Sequence, residues 1–322
     1  MKKYNLTEEF ILDRFLRKLN LNRIEAFDFN NDGGFFKIPK NAKMVVTNDT
    51  ILESIDFFVN DPPESIANKI ATCNLSDLSA MGAKPYCYTL SLCIPKNTSY
   101  QWLSKFTKKL FSIQKKFKFF LIGGDLSKSK KIVISSNFFG FIFNNNIPKR
   151  NNAKIGDDIW VTGNIGDSSV GLKIKQKKIK LNKKDEKYFL NKYLYPEHFS
   201  LGYLINNIIT SSIDISDGLY GDLEKLLNCE IGASIKSKII PLSSHTKKLI
   251  KKKIIKLDYL LKSGDDYQLI FTTFPKNDLF IKRLSKKNNV KITKIGKIID
   301  KKGIYLDNIK KKIINKSFQH FS

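Results

Sequence analysis

Six aspartates stand at or near the ends of predicted strands or in turns, the places where loops carry function. They are Asp32 in NNDGG, Asp49 in TNDT, Asp77 in NLSD, Asp125 in GGD, and Asp214 and Asp217 in IDISDG. Carboxylates that converge repel one another, so they stay ionised together only when a cation lies among them. Hard oxygen ligands select Mg²⁺ or Ca²⁺, and Mg²⁺ commonly binds substrate phosphates as well. A set rich in Asp and poor in His therefore indicates phosphate chemistry.

An ordinary explanation exists for each aspartate taken alone, because Asp also caps helices and forms turns. The absence of three common motifs limits the kinds of chemistry that the chain can be expected to carry out. The chain has no G-x-x-x-x-G-K-[ST] phosphate loop, no protein-kinase motif set and no G-x-S-x-G nucleophile elbow. Gly123 and Gly124 precede Asp125 and would let the backbone approach a phosphate closely, but a GGD sequence by itself has low specificity.

The length, composition and net charge limit the class of protein to which the chain can belong. A chain of 322 residues with 42% hydrophobic residues can bury a core and is long enough for two domains. The formal net charge of +27 by itself points to nucleic acid or an anionic membrane. Nearly all the cations are lysine, however, whereas recognition of phosphate backbones usually recruits arginine. Because a bias toward Lys, Ile, Asn and Phe is typical of an A/T-rich genome, we expect no specific nucleic-acid partner.

The cysteines and histidines form no metal or disulfide pattern. They are Cys73, Cys87, Cys93, Cys229, His198, His245 and His320. No cysteine pair has the spacing of a zinc site, and nothing indicates a disulfide framework, so a reducing cytoplasm is expected. The N-terminal segment has the pattern of an amphipathic helix capped by Thr7 rather than of a signal peptide. No run approaches the ~20 apolar residues of a membrane span, so no membrane association is expected.

Predicted strands alternate with predicted helices in both halves of the chain. In the first half we predict strands at 44–47, 86–94, 119–122 and 131–143, and helices at 62–81 and 100–117. In the second half we predict strands at 159–162, 213–215, 267–273 and 292–299, helices after Gly166, at 199–209 and after Gly218, and an exposed lysine-rich segment at 173–187. The polar stretch 144–158 contains the junction, near residue 147. The pattern predicts an α/β or α+β fold in two domains.

Five segments in fixed order resemble the bacterial thiamine-monophosphate kinases. They are NLSDLSAMGAKP, LIGGD, AKIGDDIWVTGNIGDSSVGL, IDISDGLYGDL and SGDDYQLIF. The resemblance extends from the first helix to the closing SFQHF, and the first and fourth segments are specific to this family and its relatives. Those relatives include aminoimidazole ribonucleotide synthetase, selenophosphate synthetase and a hydrogenase-maturation protein, all of which use ATP.

The resemblance implies a fold and an activity. Residues 1–147 would form an N-terminal α/β domain that binds ATP and metal and pairs its sheet across a homodimer, and residues 148–322 a C-terminal α/β domain that completes the active site. The partners implied are ATP as co-substrate, thiamine monophosphate and several Mg²⁺ ions. The expected reaction is phosphorylation of thiamine monophosphate to thiamine diphosphate, the last step in making that cofactor, in the cytoplasm.

The resemblance also implies roles for individual residues. The positions that match metal ligands are Asp32, Thr47, Asn48, Asp49, Asp77, Asp125, Asp214 and Asp217. Those that match ATP contacts are Gly124, Asp125, Arg150 and Ser216, and those that match substrate contacts are Asp56, Asp265 and Phe318. The acceptor is a phosphate oxygen that is already ionised near pH 7, so we expect direct in-line transfer with neither a covalent intermediate nor a general base.

The chain departs from the family pattern at several of these positions. Asn31 stands where the family usually has Asp, Asn48 where it has Thr, Asp56 where His is common, and Asp265 where it has Glu. The phosphate-and-metal half of the pattern is thus largely kept, whereas the substrate half has changed. Two alternatives remain open at this point. One is another ATP-using enzyme of the same superfamily, and the other is a non-enzymatic protein that binds nucleotide or nucleic acid.

Overall fold

A computed structural model describes residues 6–144 and 146–311, so the predicted substrate residue Phe318 lies outside the described residues. The chain divides into two compact units. The first unit comprises Met1–Leu78 and Ala83–Asn144, and the second comprises Ser79–Gly82 and Asn145–Ser322. Within the described ranges, no helix is both long and apolar enough to cross a bilayer.

The first unit combines a four-stranded sheet with two long helices. Its elements in chain order are α1 (Glu8–Ile11), β1 (Lys43–Leu52), α2 (Pro63–Ala80), β2 (Lys84–Ile94), α3 (Tyr100–Phe117), β3 (Phe120–Lys128) and β4 (Val133–Ile142). Short π and 3-10 turns at Leu12–Leu16, Arg17–Asn20 and Ile24–Phe29 follow α1. The strand order is β1-β4-β2-β3. β4 runs antiparallel to β1 and β2, whereas β2 and β3 run parallel, so the sheet is mixed.

Local signals placed the helices of this unit correctly. Thr7 caps α1 by accepting a hydrogen bond from the N–H of Phe10 at 3.2 Å. Helix α3 has the predicted bounds, and the side chain of Ser99 accepts from the N–H of Trp102 at its start. Helix α2 begins at Pro63, and the chain turns away at Gly82 with a φ of +71°.

Two strand predictions for the first unit were too short. The strand expected at 44–47 is β1, which continues to Leu52, and the strand expected at 119–122 is β3, which continues to Lys128. β3 continues through Gly123 and Gly124, because the backbone there packs closely against β2. A Cβ on Gly124 would stand 2.0 Å from the carbonyl oxygen of Leu90, so only glycine allows this pairing.

The second unit is built on a larger sheet. Its elements in chain order are β5 (Asp158–Thr162), α4 (Asp167–Lys175), α5 (Lys183–Leu194), α6 (Gly202–Ile205), β6 (Ile209–Ile215), α7 (Leu219–Glu224), β7 (Gly232–Ile235), α8 (Ser244–Lys251), α9 (Leu257–Leu261), β8 (Gln268–Thr273), α10 (Asp278–Asn288), β9 (Ile292–Ile299), β10 (Gly303–Leu306) and β11 (Ile309–Lys310). The strand order is β11-β10-β7-β9-β5-β8-β6. All neighbours run antiparallel except β7 and β10. The chain is therefore a mixed α/β protein with two sheets.

The helix predicted at 199–209 was wrong over most of its length. The structure has only the single turn α6, and the strand predicted at 213–215 begins already at Ile209. A turn at residues 206–208 follows α6, and Ile209 then enters β6, where it pairs with Thr273 of β8. Gly202 also lies against Ser79, where a Cβ would come within 1.7 Å of the Ser79 carbonyl oxygen.

The lysine-rich segment 173–187 is largely exposed, but Ile174 and Asp185 within it are buried. Helix α5 begins inside it at Lys183, with Asn182 as its N-cap. Seven elements of this unit were not predicted from the sequence: α5, α8, α9, α10, β7, β10 and β11. β7, β10, β11 and α9 are two to five residues long, too short to show a period, whereas α8 and α10 are amphipathic helices that were overlooked.

Candidate functional site

Strand β1 carries three predicted metal-site residues side by side. Thr47 and Asp49 share one face of the strand, whereas Asn48 lies on the other, more exposed face. The hydroxyl of Thr47 donates to Oδ1 of Asn74 on α2 at 3.0 Å, so the Thr47 face is the one that meets α2. The amide of Asn48 donates instead to Oδ1 of Asn137 on β4 at 2.8 Å. The side chains of Thr47 and Asp49 are thus available together, and that of Asn48 belongs to the opposite surface.

Asp49 is held in an electrostatically unfavourable position. Its Oδ2 atom is buried and accepts no hydrogen bond from the described residues. Removal from water, with a smaller contribution from the negative charge of Asp56, raises the pKa of Asp49 to about 6. Asp56 itself is fixed, because its Oδ2 accepts the N–H of Leu52 at 2.8 Å. A cation beside Asp49 would relieve both the desolvation and the repulsion.

The other predicted residues of the first unit lie on three different elements. Asp77 is on α2, and Asp125 is an exposed residue of β3 whose Oδ2 accepts from the hydroxyl of Ser127 at 2.7 Å. Gly124 precedes Asp125, and two strands, β2 and β4, lie between it and Asp49, since Gly124 pairs with Leu90, Leu90 with Ser136, and Ser136 with Asp49. Asp32 is exposed in the loop before β1.

In the second unit, β6 delivers the buried Asp214 and then the turn Ser216–Gly218. One side chain holds this turn together. Oδ2 of Asp222 accepts the backbone N–H groups of Ser216, Asp217 and Gly218 at 3.0, 3.0 and 3.1 Å. Three N–H groups arranged this way would otherwise bind an anion. Because Asp222 occupies them, a contact between Ser216 and a phosphate has to use the Ser216 hydroxyl.

The turn also adjoins a predicted substrate residue. The N–H of Asp265 donates to the carbonyl oxygen of Ser216 at 2.9 Å. Gly264 makes this approach possible, since a Cβ there would lie 1.8 Å from the same oxygen. Asp265 adopts a φ of +66°, and its Oδ1 accepts from the hydroxyl of Tyr267 at 2.9 Å. The structure therefore brings the Ser216, Asp217 and Asp265 positions together within one unit.

The neighbour of Asp265 is a second, deeply buried carboxyl. Oδ2 of Asp266 accepts the N–H of Gly166 at 2.7 Å, and burial raises the pKa of Asp266 well above its usual range. This contact ties the loop before α4 to the segment that carries Asp265. Arg150, predicted to contact ATP, is exposed in the stretch before β5.

No group of three or more His, Cys, Asp or Glu side chains in residues 6–144 and 146–311 is arranged to hold a metal ion by itself. The carboxylates occur instead in pairs, Asp49 with Asp56 and Asp217 with Asp222. Mg²⁺ typically takes one or two carboxylates and completes its shell with water and substrate phosphates. Asp222, Lys225 and Tyr267 were not predicted from the sequence. Asp222 stands in the conspicuous segment IDISDGLYGDL, but only its contacts distinguish it from a helix-capping residue.

Comparisons with known proteins identify the family. Residues 30–142 match the AIR synthase related protein, N-terminal domain, and residues 154–307 match the AIR synthase related protein, C-terminal domain. The thiamine-monophosphate kinase of Buchnera aphidicola subsp. Schizaphis graminum is 41% identical over 323 residues, covering 97% of this chain and 98% of the relative. The chain belongs to the thiamine-monophosphate kinase family.

Solved structures of thiamine-monophosphate kinases agree with this membership. The enzyme from Stenotrophomonas maltophilia K279a is 28% identical, with a TM-score of 0.84 over 94% of this chain and 98% of that one. AaThiL, solved in complex with AMPPCP and TMP, is 26% identical, with a TM-score of 0.76 over 100% of this chain and 99% of that one. The expected resemblance to thiamine-monophosphate kinases is confirmed.

Proposed function

We propose that this chain transfers the γ-phosphoryl group of ATP to thiamine monophosphate, giving thiamine diphosphate and ADP. The observation that carries the proposal is the 2.9 Å bond from the N–H of Asp265 to the carbonyl oxygen of Ser216. It joins a residue expected at the acceptor to one expected at ATP. The complex of AaThiL with AMPPCP, an ATP analogue, and TMP supports the same pair of substrates.

The residues fit a divalent cation. Asp49 presents a buried oxygen that no described group satisfies, and its raised pKa reports a carboxylate in need of positive charge. The donors that would hold Mg²⁺ in the first unit are the carboxylates of Asp32, Asp49, Asp77 and Asp125 with the hydroxyl oxygen of Thr47, and in the second unit those of Asp214 and Asp217. The side chain of Asn48 lies on the opposite face of β1 and pairs with Asn137, so it is not among these donors. When bound, Mg²⁺ ions supply neutralisation of the phosphate charges, which otherwise keep two polyanions apart.

The chain's own residues orient the reactants. The Ser216 hydroxyl and the Arg150 guanidinium would bind ATP, while Gly124 lets the β3 backbone come close to it. Asp56, Asp265 and Phe318 would bind the acceptor, and Tyr267 fixes the Asp265 side chain through its 2.9 Å hydrogen bond. Because the acceptor oxygen is ionised near neutral pH, positioning for an in-line attack is sufficient without a general base.

The test is product analysis by chromatography after incubation of the purified protein with ATP, Mg²⁺ and thiamine monophosphate. Thiamine diphosphate should form with the wild type and be nearly absent with Asp77→Asn, which keeps the side chain's size but removes its charge. If the protein binds ATP yet makes no thiamine diphosphate, thiamine monophosphate is not its acceptor. If turnover proceeds without added divalent cation, the proposed role of Mg²⁺ is wrong.

A homodimer formed through the first unit is part of the proposal. β1 is an edge strand, and its outer face carries Met44 and Val46, which are 40% and 50% exposed. A second copy of the same strand would cover them. Light scattering after gel filtration should give twice the chain mass. Val46→Asp should shift it toward the monomer, whereas Leu279→Asp, at a 67% exposed apolar site on α10, should not. A monomeric wild type would contradict the dimer.

A further inference from the structure

Lys225, the residue after α7, makes two ion pairs that the activity described above does not use. Its Nζ lies 2.6 Å from Oδ2 of Asp217 and 2.8 Å from Oδ1 of Asp222. Asp217 is the carboxylate expected to bind metal, whereas Asp222 is a buried residue of α7 that holds the turn Ser216–Gly218 in place. The lysine ammonium therefore already occupies one cation position on Asp217.

Asp222 keeps the ammonium in this place. Its Oδ2 is committed to three backbone N–H groups, so the carboxylate cannot rotate without breaking all of them. The remaining oxygen, Oδ1, then holds Lys225 three residues further along the chain. The side chain of Lys225 is 37% exposed, so its long stem reaches the carboxylates from the surface rather than from the core.

We propose that Lys225 is a built-in counter-cation of Asp217 that competes with a divalent metal ion for this carboxylate. The inference rests on the proposed function in taking Asp217 as a metal position. A divalent ion that binds Asp217 has to displace the ammonium from Oδ2 or bind the other oxygen close to a positive charge. Either course lowers the affinity of the site for the ion. Lys225 is thus a positioning residue that also sets how tightly metal is held.

The magnitude follows from Coulomb's law. One unit charge about 4 Å from another contributes about a fivefold factor in a water-like dielectric, and a divalent ion feels a larger effect. Without Lys225 the Asp217 side chain is also less firmly positioned, which weakens metal binding. This second effect is smaller than the first, because Asp217 keeps its place on the turn that Asp222 fixes. Removing the charge of Lys225 should therefore tighten metal binding about fivefold or more.

The test is titration with Mn²⁺ in the absence of nucleotide, with free Mn²⁺ measured by electron paramagnetic resonance. Lys225→Met should lower the Kd of one site about fivefold, whereas Lys225→Arg, which keeps the charge, should leave it unchanged. The gain should vanish when Lys225→Met is combined with Asp217→Asn. Lys282→Met is the matched control, because it removes a surface lysine that pairs with Asp278 at 2.6 Å on α10.

Unchanged or weaker Mn²⁺ binding by a folded Lys225→Met variant would overturn the proposal, with folding checked by thermal unfolding. Equal Mn²⁺ binding by the wild type and Asp217→Asn would overturn it as well, because Asp217 would then hold no metal. Formation of thiamine diphosphate is measured separately, so the proposed kinase activity can be confirmed even when the proposed role of Lys225 is refuted.

Discussion

Replacing Asp49 with asparagine should stabilise the first unit above pH 6 while it removes a carboxylate expected at the metal site. The wild-type side chain is desolvated, faces the charge of Asp56, and leaves Oδ2 without a hydrogen bond from the described residues. In the folded protein the neutral form of Asp49 is therefore favoured over the ionised form. Asparagine has the same shape and carries no charge at any pH.

The size of the effect follows from the pKa of Asp49, which rises from 3.8 to about 6 on folding. Ionisation then costs the folded state about 3 kcal/mol, at 1.36 kcal/mol per pKa unit. Because the folded pKa is the higher one, the unfolded state loses its proton first, and stability falls as pH rises from 4 to above 6. The Asp49→Asn variant has no ionisable group at this position and does not lose stability in this way. Its free energy of unfolding relative to that of the wild type should therefore increase by about 1.4 kcal/mol between pH 5 and pH 8.

The assay is urea unfolding in a chelator, followed by tryptophan fluorescence. The chain has two tryptophans, Trp102 in the first unit and Trp160 in the second, so a Trp160→Phe background reports on the first unit alone. Asp125→Asn is the matched control. It removes another carboxylate of the predicted metal set, from an exposed position on the same sheet.

A pH-dependent gain for Asp49→Asn that Asp125→Asn does not share would support the reasoning, together with loss of kinase turnover in both variants. If Asp49→Asn destabilises the first unit equally at pH 5 and pH 8, the carboxylate is not strained and the electrostatic argument is wrong. Such a result would also remove the observation that favours a cation beside Asp49.

Three further predictions test other parts of the molecule. Gly124→Ala should destabilise the first unit by about 3 kcal/mol or more in urea unfolding, because its Cβ would meet the Leu90 carbonyl oxygen at 2.0 Å. Arg150→Ala should raise the KM for ATP more than it lowers kcat, and an unchanged KM would count against the ATP contact. Asp185→Asn should cost about 2 kcal/mol at pH 7, since Lys248, Asn182 and His245 donate to the carboxylate and lower the pKa of Asp185. The lowered pKa means that this stability is present above pH 4 and lost as pH falls further, so the thermal midpoints of variant and wild type should converge in acid.

Local sequence patterns predicted much of the helical structure. The amphipathic pattern of residues 100–117 located α3 at both ends, and the helix expected at 62–81 is α2, which spans Pro63–Ala80. Patterns of this kind work because capping and periodicity involve residues within one or two turns of each other. The helix expected at 199–209 failed for the opposite reason. Only residues 202–205 of it are helical, and its last residue, Ile209, pairs instead with Thr273 of β8, which lies far along the chain.

The sequence by itself determined the family and the reaction class, because those follow from short motifs in fixed order, and it predicted a set of positions for ATP, metal and acceptor. Only the tertiary structure decided how these residues are held. The proximity of Ser216 and Asp265, the strained burial of Asp49 and the capture of Asp217 by Lys225 depend on strand register and on packing between segments distant in sequence. Spacing along a chain carries no information about burial or distance across a fold, and these two quantities set the charge state of a carboxylate.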